Sequence, residues 1–300
     1  MIYDLDTLED STVIATTRLE VTVSKPGTFY KGSRFDWTGF ITQVELDKKY
    51  KFCVPESLKP GIGTGGAGLC NEFGISSAIG YDETKPGGKF PKLGVGLLTR
   101  KDDSPYSFAE NYEIEPFPIK VNTGKDYIEF VSGPLEANGY SAELRKLLRV
   151  CDNKLKIEYR LKNTGTKQII THEYYHNFIG INGQLVGPDY SLKMSFDVEL
   201  DDIPEGRILK ADGNTITWKE QPESDFYNRP AGYQKGNPHI WELIHMPSGV
   251  GVKEYSCLPA SLIALWGTTH VISPEVFIDI NIAPGEVCEW SREYEFFCNE

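Results

Sequence analysis

Short β-rich runs separated by Gly/Pro turn chemistry succeed one another along nearly the whole chain, and this spacing constrains the fold most. Thr12–Ser24 (TVIATTRLEVTVS) is rich in β-branched residues and alternates at its end. Similar runs include Gly39–Leu46, Leu155–Leu161, Lys167–Tyr174, Ser191–Leu200, Val276–Ile282 and Cys288–Phe297. Between runs stand Lys25-Pro26-Gly27, Asn163-Thr164-Gly165, Asp212-Gly213-Asn214 and Ala283-Pro284-Gly285, which supply the fixed or positive φ of tight turns. Ser141–Val150 reads as a further strand, since Leu144, Leu147 and Leu148 suit a buried strand better than a helical stripe. About a dozen short strands with no linker or repeat predict an all-β protein, a large antiparallel β-sandwich forming a single domain over residues 1–300.

The 300 residues are ample to bury a core, and 40% apolar with 25% charged composition is that of a globular chain. Lys and Arg number 31 against 43 Asp and Glu, a net charge of −12. Such a surplus repels phosphates, so neither a nucleic acid nor a membrane surface is expected as a partner. No apolar run reaches the ~18 residues of a spanning helix. Met1-Ile2-Tyr3-Asp4-Leu5-Asp6 has no basic or apolar leader character, and the six cysteines lack any CxxC spacing. The chain therefore reads as cytoplasmic, with reduced, structural thiols.

Two motifs look like cofactor or metal sites and fail on context. Gly61-Ile62-Gly63-Thr64-Gly65-Gly66 satisfies GxGxxG, but no βαβ unit surrounds it. It reads as a loop, either flexible or with its backbone close to a ligand. His172 and His176 form HxxxH in a segment that reads as a strand. At about 3.3 Å per residue they stand about 13 Å apart, too far for one ion, so no metal is expected. On that strand His172, Tyr174 and His176 share a face, either as satisfied structural residues or as a polar, aromatic row able to hold a sugar.

Three passages in order resemble the galactose mutarotase-like superfamily, the aldose 1-epimerases and their relatives. They are Phe29-Tyr30-Lys31-Gly32-Ser33-Arg34-Phe35; Tyr159 through Gly165 with Tyr175-His176-Asn177-Phe178; and Ser273-Pro274-Glu275-Val276 followed by Pro284-Gly285-Glu286 and Tyr294-Glu295-Phe296. The resemblance implies a supersandwich with an open sugar cleft and an isomerase that interconverts α and β anomers without a cofactor. It matches His176 to the general acid and Glu275 to the general base, a sugar ring's width apart. It also matches Arg34 to a sugar-binding arginine, His172 to a second donor and Asp225 to an aspartate on distal hydroxyls. Thr171 where an asparagine is usual, and no histidine beside Asn71-Glu72, depart from the pattern. They point to another hexose, a deoxy sugar or a sugar phosphate, whose phosphate would need cations such as Lys31, Arg34, Arg229 and Lys235. The alternative is a non-catalytic carbohydrate-binding or regulatory protein on the same fold. Either form is a monomer or a homodimer.

Overall fold

A computed structural model describes residues 10–234, 239–257 and 259–299; the N-terminal hexapeptide and Lys235 lie outside them. A nine-stranded sheet runs Ser11–Ala15, Leu19–Ser24, Ile41–Leu46, Leu69–Phe73, Ile169–Asn177, Ile272–Ile282, Leu262–Gly267 and Phe226–Asn228, with Tyr50–Lys51 on the third strand. A ten-stranded sheet has Val250–Ser256, Val287–Cys298, Lys154–Asn163 and Ala142–Cys151 at its centre. Lys89–Lys92, Gly96–Thr99 and Ile114–Pro116 form a third, small sheet. The strands of all three pair antiparallel. The all-β expectation holds, and no described helix is long and apolar enough to cross a membrane.

Strand alternation builds the core. In Lys154–Asn163, Leu155, Ile157, Tyr159 and Leu161 are buried while Lys154, Lys156, Glu158 and Arg160 face outward. They join one apolar cluster with Ile169, Val276, Ile278 and Ile280 of the nine-stranded sheet. Each such aliphatic side chain contributes roughly 1.5–3 kcal/mol on burial, so this interface holds the sandwich together. Ile272–Ile282 is instead buried on both faces over Ile272–Ile278, because its second face lines a covered site. Both large sheets feed one core, so we propose that the chain unfolds as one unit. Scanning calorimetry should give a single transition; two resolved transitions would contradict it.

Several expectations are corrected. Thr12–Ser24 is a hairpin, because Thr16 Oγ1 accepts the backbone N–H groups of Arg18 (3.1 Å) and Leu19 (2.9 Å) and closes a turn in mid-run. The run at Ser191–Leu200 is a strand only as far as Met194, with Glu199 making an isolated bridge to Ala231. Val250–Ser256 and Leu69–Phe73 are strands that the sequence pattern did not announce. Gly251 opens the first under the Phe297 ring, where a Cβ would lie 2.4 Å from it. The second carries Asn71 and Glu72, polar residues that look loop-like until their buried partners are seen. Ser141–Val150 does fold as strand, over Ala142–Cys151.

Candidate active site

Ile169–Asn177 and Ile272–Ile282 pair with His172 opposite Asp279 and Tyr174 opposite Phe277. The two-residue period sends Glu173, Tyr175 and Asn177 into the core, where Arg292 Nη2 donates to Glu173 (2.9 Å) and Tyr294 Oη to Asn177 Oδ1 (2.9 Å). His172, Tyr174 and His176 take the opposite face; Tyr174 stacks on Phe277 at 4.3 Å between centroids. Carrying the register two residues further sets His176 beside Glu275, with Nε2 3.2 Å from Oε1. This corrects the expected separation of a sugar ring's width. Cross-strand neighbours touch, and the two atoms they would serve, a ring oxygen and a C1 hydroxyl, are bonded to the same carbon.

No aligned hydrogen bond joins His176 and Glu275 directly. Ser273 connects them: its Oγ lies 2.8 Å from His176 Nδ1 and 3.1 Å from Glu275 Oε1. The Asn177 N–H donates to Ser273 Oγ at 3.0 Å. Phe178 stacks on the imidazole at 4.0 Å, and the edges of Phe35 and Trp266 enclose it. Burial drives the Glu275 pKa up to about 8, a rise that the Arg34 charge only partly offsets. Burial, and then Arg34, push His176 well below its ordinary value. At neutral pH the pair thus holds one proton, resting on the carboxyl, beside an uncharged imidazole.

Arg34 reaches the same face from the loop before Ile41–Leu46. Its Nε donates to Glu72 Oε2 (2.9 Å), Nη1 to Thr64 Oγ1 (2.8 Å) and Nη2 to Tyr174 Oη (2.9 Å). Phe35 and Phe108 approach the guanidinium at 4.5 and 4.4 Å. Burial lowers the Arg34 pKa, but Tyr174 and Glu72 outweigh it and hold the guanidinium charged. Glu72 Oε1 in turn takes Lys92 Nζ at 3.0 Å, and Lys92 also donates to Tyr106 Oη at 2.9 Å. Lys92 and Tyr106 come from the small sheet and its loop, so that sheet supplies one wall of the site.

His172 Nε2 accepts the Ile75 N–H at 3.1 Å, and burial lowers its pKa. Asp225 stands on the rim of a cavity of about 700 Å³ whose lining includes Glu56, Gly63, Trp266, Thr268 and His270. Trp266 links this cavity to the His176 ring. The glycine segment closes the site's flank: Glu56 Oε2 accepts the N–H groups of Thr64 (2.7 Å) and Gly66 (3.1 Å). A Cβ on Gly66 would lie 2.5 Å from the Phe178 ring, so only glycine fits there. A strand, Leu69–Phe73, follows the segment, so it lacks the helix N-terminus of a dinucleotide site. Among the described residues no group of three or more His, Cys, Asp or Glu is placed to hold a metal ion.

Sequence reasoning missed Ser273, Glu72, Lys92 and Tyr106. In the sequence Ser273 stands out only as a neighbour of Glu275; the alternation that aims Glu275 also aims the residue two before it. Nothing local marks Lys92, whose single partner carboxylate lies 20 residues away.

No protein-family model matches the chain, and no curated protein does. Solved structures do. A galactose mutarotase related enzyme from Lactobacillus acidophilus superposes with a TM-score of 0.61 at 12% identity, covering 96% of this chain and 97% of its own. A galactose mutarotase-like protein from Lactobacillus casei gives 0.59 at 12% identity over 96% and 100%. The GalM/aldose epimerase homologue from C. elegans gives 0.57 at 13% identity over 97% and 100%. The chain therefore has the galactose mutarotase-like fold.

Proposed function

We propose that this chain is an aldose 1-epimerase-like isomerase that interconverts the α and β anomers of a hexose or related sugar. The observation that carries the reading is the buried His176–Glu275 contact at 3.2 Å, on the face that also presents Tyr174 and Arg34. Anomer exchange needs one proton delivered to the ring oxygen and one removed from the C1 hydroxyl, followed by rotation about C1–C2 and closure from the other face. Two groups that share one proton and converge on one carbon suit that demand. His176 serves as the acid toward the ring oxygen and Glu275 as the base toward the hydroxyl; no cofactor enters. Arg34, His172 and Asp225 would hold the remaining hydroxyls.

A neutral sugar suits the surroundings better than a phosphate ester. The Arg34 charge is already countered by Glu72 at 2.9 Å, while its Nη1 and Nη2 each keep a second hydrogen for a neutral hydroxyl. The cavity lining sets Lys59 against Glu56, Glu223 and Asp225. Six cysteines, none in a disulfide, fit a reducing cytoplasm.

The pH dependence follows from the two shifts. A pair that has lost its shared proton has nothing to donate, so exchange should fall as pH rises through about 8. His176 gains a second proton only well below its ordinary value, so no acid loss should appear between pH 7 and 6.5. A rate that instead climbs steadily above pH 8 would contradict the assignment. The function itself is tested by NMR exchange spectroscopy of anomers over a panel of monosaccharides. Sugar binding with no faster exchange would leave a carbohydrate-binding protein.

A further inference from the structure

We propose that Ser273 passes a proton between Glu275 and His176 during anomer exchange, so that the three side chains act as one charge-conserving relay. This rests on the isomerase reading above. The argument begins with the hydroxyl's own valence. Ser273 is fully buried, and one lone pair of its oxygen is taken by the Asn177 N–H at 3.0 Å. One hydrogen and one lone pair remain for two neighbours, His176 Nδ1 at 2.8 Å and Glu275 Oε1 at 3.1 Å. The hydroxyl must therefore donate to one and accept from the other, and it has two ways to do so.

In the first arrangement the carboxyl proton sits on Oε1 and is donated to Ser273. Ser273 donates to Nδ1, and His176 carries its hydrogen on Nε2. In the second, Ser273 donates to a bare Oε1, His176 carries its hydrogen on Nδ1, and Nε2 is a free lone pair. Opening of the sugar ring converts the first into the second. The C1 hydroxyl proton moves to Oε2, which makes no hydrogen bond among the described residues. The Oε1 proton moves to Ser273, the Ser273 proton to Nδ1, and the Nε2 proton to the ring oxygen. The C1–O5 electron pair leaves with the ring oxygen, and the hydroxyl oxygen's electrons form the C1=O1 bond. Closure from the other face runs every step backwards and restores the starting state.

No side chain changes its formal charge in either direction. A site this buried would otherwise have to separate an imidazolium from a carboxylate, which low polarity penalises. The charged groups facing the trio, Arg34 and Glu72, are already paired with each other at 2.9 Å. Ser273 thus acts through its two neighbours and does not touch the sugar.

The test compares wild type, Ser273→Ala and Ser273→Thr by kcat, KM and the rate as a function of deuterium content of the solvent. Wild type should give a bowed dependence, the mark of several protons in flight. Ser273→Ala should lose about 10- to 100-fold in kcat with KM within about twofold, and its dependence should become linear. Ser273→Thr, which keeps the hydroxyl, should restore the bowed form. In substrate-free wild type, imidazole nitrogen NMR should show His176 changing from the Nε2–H to the Nδ1–H tautomer as pH rises through about 8. An active wild type matched by Ser273→Ala in rate and isotope response overturns the relay alone, as does a His176 tautomer that stays fixed. A wild type that accelerates no sugar overturns the isomerase reading, and the relay with it.

Discussion

Glu275→Gln is expected to slow anomer exchange by about 10²–10⁴-fold, the usual worth of one positioned acid or base, while leaving sugar binding nearly intact. The same substitution should make the folded protein more stable. Glu275 holds its proton in the folded state up to about pH 8, whereas an unfolded glutamate releases it near 4.5. Across that window the native state binds the extra proton, so stability declines as pH rises and the loss is complete once pH passes about 8. Glutamine does not titrate and keeps the shape. The gain over wild type should be small at pH 4.5 and grow to about 3 kcal/mol at pH 7, using 1.36 kcal/mol per pKa unit. Denaturant titrations at the two pH values measure it. A variant equally stable relative to wild type at both would mean that Glu275 is not held protonated.

Glu72→Ala should have the largest effect on stability of any single change in the site. Glu72 is fully buried and sits between Arg34 and Lys92, at 2.9 and 3.0 Å. Removing it leaves two buried cations with no counter-charge, and breaking a buried pair in this way costs about 3–5 kcal/mol. Arg34 would also lose the anchor that fixes its Nε edge, so any surviving protein should bind sugar more weakly. Lys92→Met in the same background should recover part of the stability, because it removes one of the stranded charges. Glu72→Ala within about 1 kcal/mol of wild type would show that the cations find other partners.

The architecture was legible because it rests on periodicity. Lys154–Asn163 alternates throughout as the sequence alternates, and Ile169–Asn177 does so as far as Glu173, so the sandwich follows from where the apolar faces must go. The placement of His172, Tyr174 and His176 on one face needed only that period. Thr12–Ser24 failed because a threonine hydroxyl, not Gly or Pro, makes its turn, and β-branched residues continue through it. Glu72, Lys92 and Lys146 were illegible for a different reason. A charged residue in a strand reads as solvent-facing, and only tertiary partners such as Asp36, 3.5 Å from Lys146, make its burial tolerable. The closeness of His176 to Glu275 was hidden because strand register, not substrate size, sets it.

The central claim is that the His176–Glu275 pair drives anomer exchange, and two-dimensional exchange NMR on equilibrated anomers tests it most directly. Over a panel of neutral aldoses, deoxy sugars and sugar phosphates, wild type should speed exchange of at least one neutral sugar, and Glu275→Gln should abolish nearly all of that acceleration. A sugar that binds without faster exchange, or a Glu275→Gln protein that keeps the full wild-type rate, would contradict the account.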